Sequence, residues 1–143
     1  MDTLGRHLLA EYHGCDTALL NDLEQISQLL HNAAAAANVR VVRSASHRYA
    51  PQGVTCALLI EESHLSIHTW PEHGYAAADF YTCGKGDPMA AHEAMIDGLQ
   101  PERSEFMLLN RGTFPPGPSI QVKAHVASND EHTEKPHGIE PPA

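Results

Sequence analysis

Apolar positions along this chain follow two rhythms, and the points where one gives way to the other mark its elements. Residues 6–12, Arg-His-Leu-Leu-Ala-Glu-Tyr, predict a first strand, which Gly14 breaks. Asp16 then offers a helix N-cap. From Thr17 to Ala37 the residues Leu19, Leu23, Ile26, Leu30, Ala33 and Ala37 recur at alternating steps of four and three, one stripe of an amphipathic helix. The alanines from Ala33 to Ala37 raise helix propensity, and Asn38 suits a stop.

Beyond Asn38 the period drops to two. Val39–Tyr49 predicts a strand, Pro51-Gln52-Gly53 a turn, and Val54–Ile60 a nearly continuous apolar strand central in its sheet. In Leu65–Trp70, alternation places Leu65, Ile67 and Thr69 on one face and Ser66, His68 and Trp70 on the other. Pro71–Gly74 is a second turn. Tyr75–Thr82 is another strand, with Ala76, Ala78 and Phe80 opposed to Tyr75, Ala77 and Asp79. Asp87 as N-cap and Pro88 at the first helical position open a helix to Leu99, and Ser104–Asn110 reads as a last strand. Six of the ten prolines lie between Pro115 and Pro142, so residues 1–112 are expected to form the domain and 113–143 a Pro-rich, mobile tail.

Strands clustered between two helices predict an α+β fold, a two-layer sandwich with a mostly antiparallel sheet and both helices on one face. The second face of such a sheet would lie open, so a homodimer is expected. At 143 residues, 42% hydrophobic and 19% charged, the chain suits one soluble domain without disulfides. Nine Lys and Arg against a net charge of −9 exclude a nucleic-acid surface. No apolar run reaches membrane-spanning length, and the N-terminus lacks a signal peptide, which points to the cytoplasm. Cys15, Cys56 and Cys83 are odd in number and lack CxxC spacing, against both a disulfide framework and a structural zinc site.

The chemistry concentrates in Glu61–His73: thirteen residues with three carboxylates, two serines, three histidines and the only tryptophan. Packing between two strands asks for none of these. His64, His68 and His73 suggest metal ligands beside Glu62, Glu72 or Cys83. On a strand, however, His64 and His68 lie roughly 13 Å apart along the axis, too far for one ion. His64 and His73 therefore read as surface histidines, whereas His68 shares a face with Ser66 and Trp70. Cys15 and Cys56 read as buried small hydrophobes. Cys83, at a strand end before Gly84-Lys85-Gly86, is as well placed for a proton donor or nucleophile as for packing. Ser63 follows two glutamates and sits in no Gly-x-Ser-x-Gly elbow, so residue pattern alone makes it a polar turn residue.

Glu61–Glu72, with Gly74-Tyr75-Ala76-Ala77 and Thr82-Cys83-Gly84, closely resembles the prokaryotic S-adenosylmethionine decarboxylases. The likeness extends to Gly5-Arg6-His7-Leu8 and to His47-Arg48-Tyr49 ahead of Pro51-Gln52-Gly53-Val54, and covers about residues 4–110. It implies a two-layer α+β fold, paired protomers with sites near the dimer interface, and a proenzyme that cuts itself between Glu62 and Ser63. The Ser63 hydroxyl attacks the Glu62 carbonyl to give an ester. Elimination then leaves dehydroalanine, which hydrolyses to a pyruvoyl group with loss of ammonia.

By the same resemblance His68 is the processing base and Thr55, where relatives usually carry serine, holds the ester intermediate. The pyruvoyl ketone forms a Schiff base with the substrate amine and takes the electrons left when CO₂ departs, so no external cofactor or metal is needed. Cys83 returns the proton, Tyr49 (more often phenylalanine) stacks on adenine, Glu72 binds the ribose and Trp70 lines the pocket. The expected function is S-adenosylmethionine decarboxylation, which supplies the aminopropyl donor for spermidine. A pyruvoyl decarboxylase acting on ornithine or arginine, and an unprocessed binding or regulatory protein, are the alternatives.

Overall fold

The computed structural model describes residues 3–129 and 137–139. Its frame is one sheet of strands β1 (Gly5–His13), β2 (Arg40–Arg48), β3 (Val54–Glu61), β4 (Ser63–Trp70), β5 (Tyr75–Cys83), β6 (Arg103–Arg111), β7 (Ile120–Asn129) and β8 (His137–Ile139). Their spatial order is β2-β3-β4-β5-β1-β6-β7-β8, with every neighbouring pair antiparallel. The helices are α1 (Thr17–Leu20), α2 (Leu23–Ala36) and α3 (Pro88–Leu99). This is the expected α+β sandwich.

Alternation decides which face is covered. Leu8 and Tyr12 of β1, Leu58 of β3, Leu65 and Ile67 of β4, and Phe80 of β5 are fully buried, together with Ile26 and Leu30 of α2 and Met95 and Leu99 of α3. Each such burial is worth about 1.5–3 kcal/mol, which makes this layer the main source of stability. The expected stripe of the long helix holds, with Ile26, Leu30, Ala33 and Ala37 all buried. Within the core the Tyr12 hydroxyl and His92 Nδ1 share a hydrogen bond of 2.7 Å, and burial pushes the His92 imidazole down to about 4. Cys15 and Cys56 are buried as expected, and burial raises the Cys15 thiol to about 11.

Two expectations need correction. The helix over Thr17–Ala37 is broken after Leu20, because Asp22 caps a new helix by accepting from Gln25 N at 3.0 Å. The backbone at the break is used elsewhere: Leu20 O accepts from the Thr69 hydroxyl at 2.7 Å, and Asn21 O from Arg48 at 2.9 Å. The second correction concerns the tail, expected from residue 113 onward. Ile120–Asn129 is a sheet strand, paired with β6 from Ile120↔Arg111 to Asn129↔Arg103. Ile120, Val122, Ala124 and Val126 keep a period of two, and the prolines before them serve the connection between the strands. Residues 130–136 and 140–143 of that expected tail lie outside the described residues. No helix among the described residues is long and apolar enough to cross a membrane.

Candidate active site

The helix-free face of the sheet carries the polar chemistry, in two groups at opposite ends of β4. The first surrounds Ser63. β3 and β4 meet at Glu62, and Ser63, the first residue of β4, has φ +99°, in a region that L side chains seldom occupy. Alternation alone would put Ser63 on the side of buried Leu65 and Cys83 on the side of Asp79. They meet at the strand ends, where Ser63 departs from extended geometry and its Oγ lies 3.2 Å from Cys83 Sγ. The Cys83 backbone N–H donates to the Glu62 carbonyl at 3.3 Å. Gly5 lies opposite Cys83 across β1, and a methyl there would come within 2.4 Å of the Tyr81 ring and 3.2 Å of Cys83 Sγ. Glycine keeps this corner open.

Next to this corner four strands contribute a hydrogen-bonded chain. Asp79 Oδ2 accepts from His64 Nε2 at 2.8 Å and from His7 Nε2 at 2.6 Å, and Asp79 Oδ1 accepts from the Ser66 hydroxyl. Arg111 donates to His7 Nδ1 at 3.0 Å and lies over the Tyr81 ring. Burial alone would raise the Asp79 carboxyl, but the hydrogen bonds from His7, Ser66 and His64 outweigh it and hold the group well below the usual carboxylate range.

The second group lies at the far end of β4. Thr55 and His68 are direct partners across β3 and β4, with Thr55 Oγ1 2.8 Å from His68 Nδ1. The Tyr49 hydroxyl donates to the same Thr55 oxygen at 3.1 Å, so the threonine hydrogen is free to donate to His68 Nδ1. Trp70 stacks on Tyr75, which stacks in turn on His13. Burial, with a hydrogen bond to Glu11, pushes the Tyr75 hydroxyl up to about 12. Glu72 is exposed on the 3-10 turn Pro71–His73 that follows.

The predicted residues thus fall into two sets: Glu62, Ser63 and Cys83 in one, and Tyr49, Thr55, His68, Trp70 and Glu72 in the other. Ser63 and His68 lie five positions apart, roughly 16 Å of extended strand. The roles of His7, Ser66, Asp79 and Arg111 escaped the sequence reading, because their meeting depends on the register of four strands. One signal was available: Asp79 already shared the polar face of its strand. His64, read as a surface histidine, is part of this chain.

The comparisons with known proteins agree with the fold. A sequence profile of S-adenosylmethionine decarboxylases matches residues 6–112. The chain is 49% identical over 123 residues to the S-adenosylmethionine decarboxylase proenzyme of Shouchella clausii, covering 85% of this chain and 95% of that protein. It is 46% identical to the corresponding proenzyme of a Geobacillus species, covering 86% and 96%. The crystal structure of the adenosylmethionine decarboxylase from Aquifex aeolicus superposes with a TM-score of 0.73 at 38% identity, covering 82% of this chain and 98% of that one. With the profile spanning most of the domain and relatives near half identity over nearly their whole length, the chain belongs to the S-adenosylmethionine decarboxylase family of carboxy-lyases.

Proposed function

We propose that this chain is a proenzyme that cuts itself between Glu62 and Ser63, and that the resulting pair, residues 1–62 and a pyruvoyl-capped chain from 63, decarboxylates S-adenosylmethionine. The observation that carries this is the corner itself: the Ser63 hydroxyl against the Cys83 thiol, with the Glu62 carbonyl polarised by the Cys83 N–H. Attack of Ser63 Oγ on the Glu62 carbonyl carbon places charge on an oxygen that already has a donor. The amide C–N bond breaks as its nitrogen takes up a proton, leaving an ester. The positive φ of Ser63 costs about 1–3 kcal/mol, which favours breaking this peptide bond over keeping it. Loss of the Ser63 α-proton then expels the Glu62 carboxylate, and water replaces the nitrogen, which leaves as ammonia.

The residues at the corner fit the group this sequence of steps leaves at position 63. The pyruvoyl group supplies the electron sink that lets an α-amino acid lose CO₂. Cys83 is placed beside it to hold the proton that replaces the carboxylate. Tyr49, Trp70 and Glu72 offer two aromatic faces and a carboxylate, which suit a nucleoside with a sulfonium cation.

His68, far along β4, and Thr55, its cross-strand partner on β3, lie too far from the Ser63 of their own chain to serve it. We infer that they serve a second copy. The helix-free face presents Leu9, 43% exposed, and Leu59, 56% exposed, beside its polar groups, and a two-fold partner laid over it sets the far end of one β4 near the corner of the other. Each site is then composite, with Ser63 and Cys83 from one protomer and Thr55 and His68 from its partner. The aminopropyl donor for spermidine would be the product. A cytoplasmic setting suits the three unpaired cysteines.

Intact-mass measurement on the purified chain, paired with CO₂ release from S-adenosylmethionine, ornithine and arginine, tests the reading. Two chains meeting at residue 63, an uncut S63A variant and turnover of S-adenosylmethionine alone are expected. An uncut wild-type chain, or turnover of ornithine or arginine instead, contradicts it.

A further inference from the structure

Cutting the chain before Ser63 leaves the reactive group on a free chain end, at the first residue of β4. Backbone pairing of Ser63 with Thr82 and of His64 with Tyr81 restrains that end, but strand ends fray. His64 supplies the amide nitrogen to which residue 63 stays attached, so its side chain is the nearest one beyond residue 63 able to fix the end.

That side chain is tied into four strands. His64 on β4 donates to Asp79 on β5. Asp79 also accepts from Ser66 and from His7 on β1, and His7 is held by Arg111 on β6. The Tyr81 ring stacks on His7 at 4.8 Å and lies under the Arg111 guanidinium at 4.5 Å, filling the space between this chain and Cys83. Asp79, Tyr81 and Cys83 alternate along one face of β5, so the carboxylate that holds His64 and the thiol at the corner share one rigid strand.

Ligand atoms of His7, His64 and Asp79, one from each, lie within 4.8 Å of one another, close enough on distance alone to hold a metal ion. The Arg111 contact decides against that use. A metal-bound imidazole turns its outer N–H toward an acceptor. Here the outer nitrogen of His7 faces a guanidinium, which only donates. His7 therefore carries its hydrogen on Nε2, directed at Asp79, and the cluster is a line of hydrogen bonds running from Arg111 through His7 to Asp79.

We propose that the Arg111–His7–Asp79–His64 chain is a positioning device that fixes residue 63 against Cys83, first as the serine that attacks and then as the reactive chain end. The proposal rests on the self-cleavage reading above. His64 and Asp79 are positioning residues, with no contact to Ser63 or Cys83 required of them.

The test compares full-length wild type, H64L, H64Q and D79N, each scored for fraction cut by intact mass and for kcat and KM per cut chain. Glutamine places an amide N–H at about the reach of imidazole Nε2, so H64Q keeps the donor that H64L removes. The His64 side chain is 38% exposed, so neither change empties the core. H64L and D79N are expected to cut more slowly and to lose about ten- to a hundredfold in kcat with KM within about threefold, the pattern of a misplaced reacting group. H64Q is expected to stay within about threefold of wild type in both steps, because the hydrogen bond to Asp79 survives.

The proposal is overturned if H64L cuts and turns over like wild type, or if H64Q is impaired as much as H64L. A wild-type chain that is never cut would instead bring down the self-cleavage reading, before any variant is compared.

Discussion

The two ends of β4 carry similar residue types under different physical conditions. At the Ser63 end the backbone leaves extended geometry, the Glu62 carbonyl has a donor, and side chains of four strands join in one hydrogen-bonded chain through Asp79. At the His68 end the strand stays regular, His68 is exposed, and its contact to Thr55 follows from ordinary cross-strand register. The first end holds the geometry on which the proposed self-cleavage rests. The second presents His68 and Trp70 outward, away from the Ser63 corner of its own chain. Their separation is what motivates the proposed composite site, in which a second copy would bring its corner to the far end.

Removing Cys83 should separate the two steps most sharply. C83A keeps the Ser63 hydroxyl and the backbone N–H that polarises Glu62, so it should still cut. Its turnover per cut chain should fall by about a hundredfold or more, the usual weight of a positioned proton donor. Full turnover by C83A would remove its assigned role.

Disrupting the contact between copies should affect both ends together. L59D puts a charge on the helix-free face without touching the core, since Leu59 is 56% exposed. It is expected to shift the protein to monomer in sedimentation and to reduce both cutting and turnover at least tenfold, because an unpaired charge in a close interface is strongly unfavourable. A monomeric L59D that cuts at the wild-type rate would show that each corner works alone.

The smallest effect concerns the covered face and should leave both ends unchanged. His92 is buried with its imidazole down at about 4, against about 6.5 when unfolded. Between those values the unfolded chain binds the extra proton, so stability is complete above about pH 6.5 and falls as pH drops toward 4, by about 3 kcal/mol in all. H92N keeps an amide that can hydrogen-bond the Tyr12 hydroxyl but cannot titrate. Its denaturation midpoint should lose less between pH 6.5 and 4 than that of wild type, and its activity at neutral pH should match wild type. An unchanged acid slope would remove His92 from that account.

Much of this architecture was legible before any coordinates, for reasons that also explain what was not. Alternation in β3, β4 and β5 assigned faces correctly, because burying one side of a sheet imposes a strict period of two. Leu65, Ile67 and Ala78 turned inward while His68, Trp70 and Asp79 did not. The helix break at Asn21 escaped because the apolar stripe runs straight through it, and only the Asp22 cap with the distant Thr69 and Arg48 donors defines it. β7 escaped because prolines before it and polar residues within it resemble a tail, and its pairing depends on β6 lying alongside.

The candidate residues were named from resemblance, while their division between two ends followed from strand length. The link between His64 and Arg111 spans four strands and nearly fifty residues of sequence, so no local pattern could show it.

The division of labour between the two ends can be tested with one pair of variants. H68A has a complete corner but no far-end histidine, and S63A has the histidine but no serine. Produced alone, H68A should be cut poorly and S63A not at all. Co-expressed, they form mixed dimers in which the Ser63 of one chain meets the His68 of the other, so intact mass should show the H68A chain cut between Glu62 and Ser63 and the S63A chain still whole. An H68A chain that stays uncut beside S63A, with mixed dimers shown to be present, would mean that His68 acts only within its own chain and would contradict the composite site.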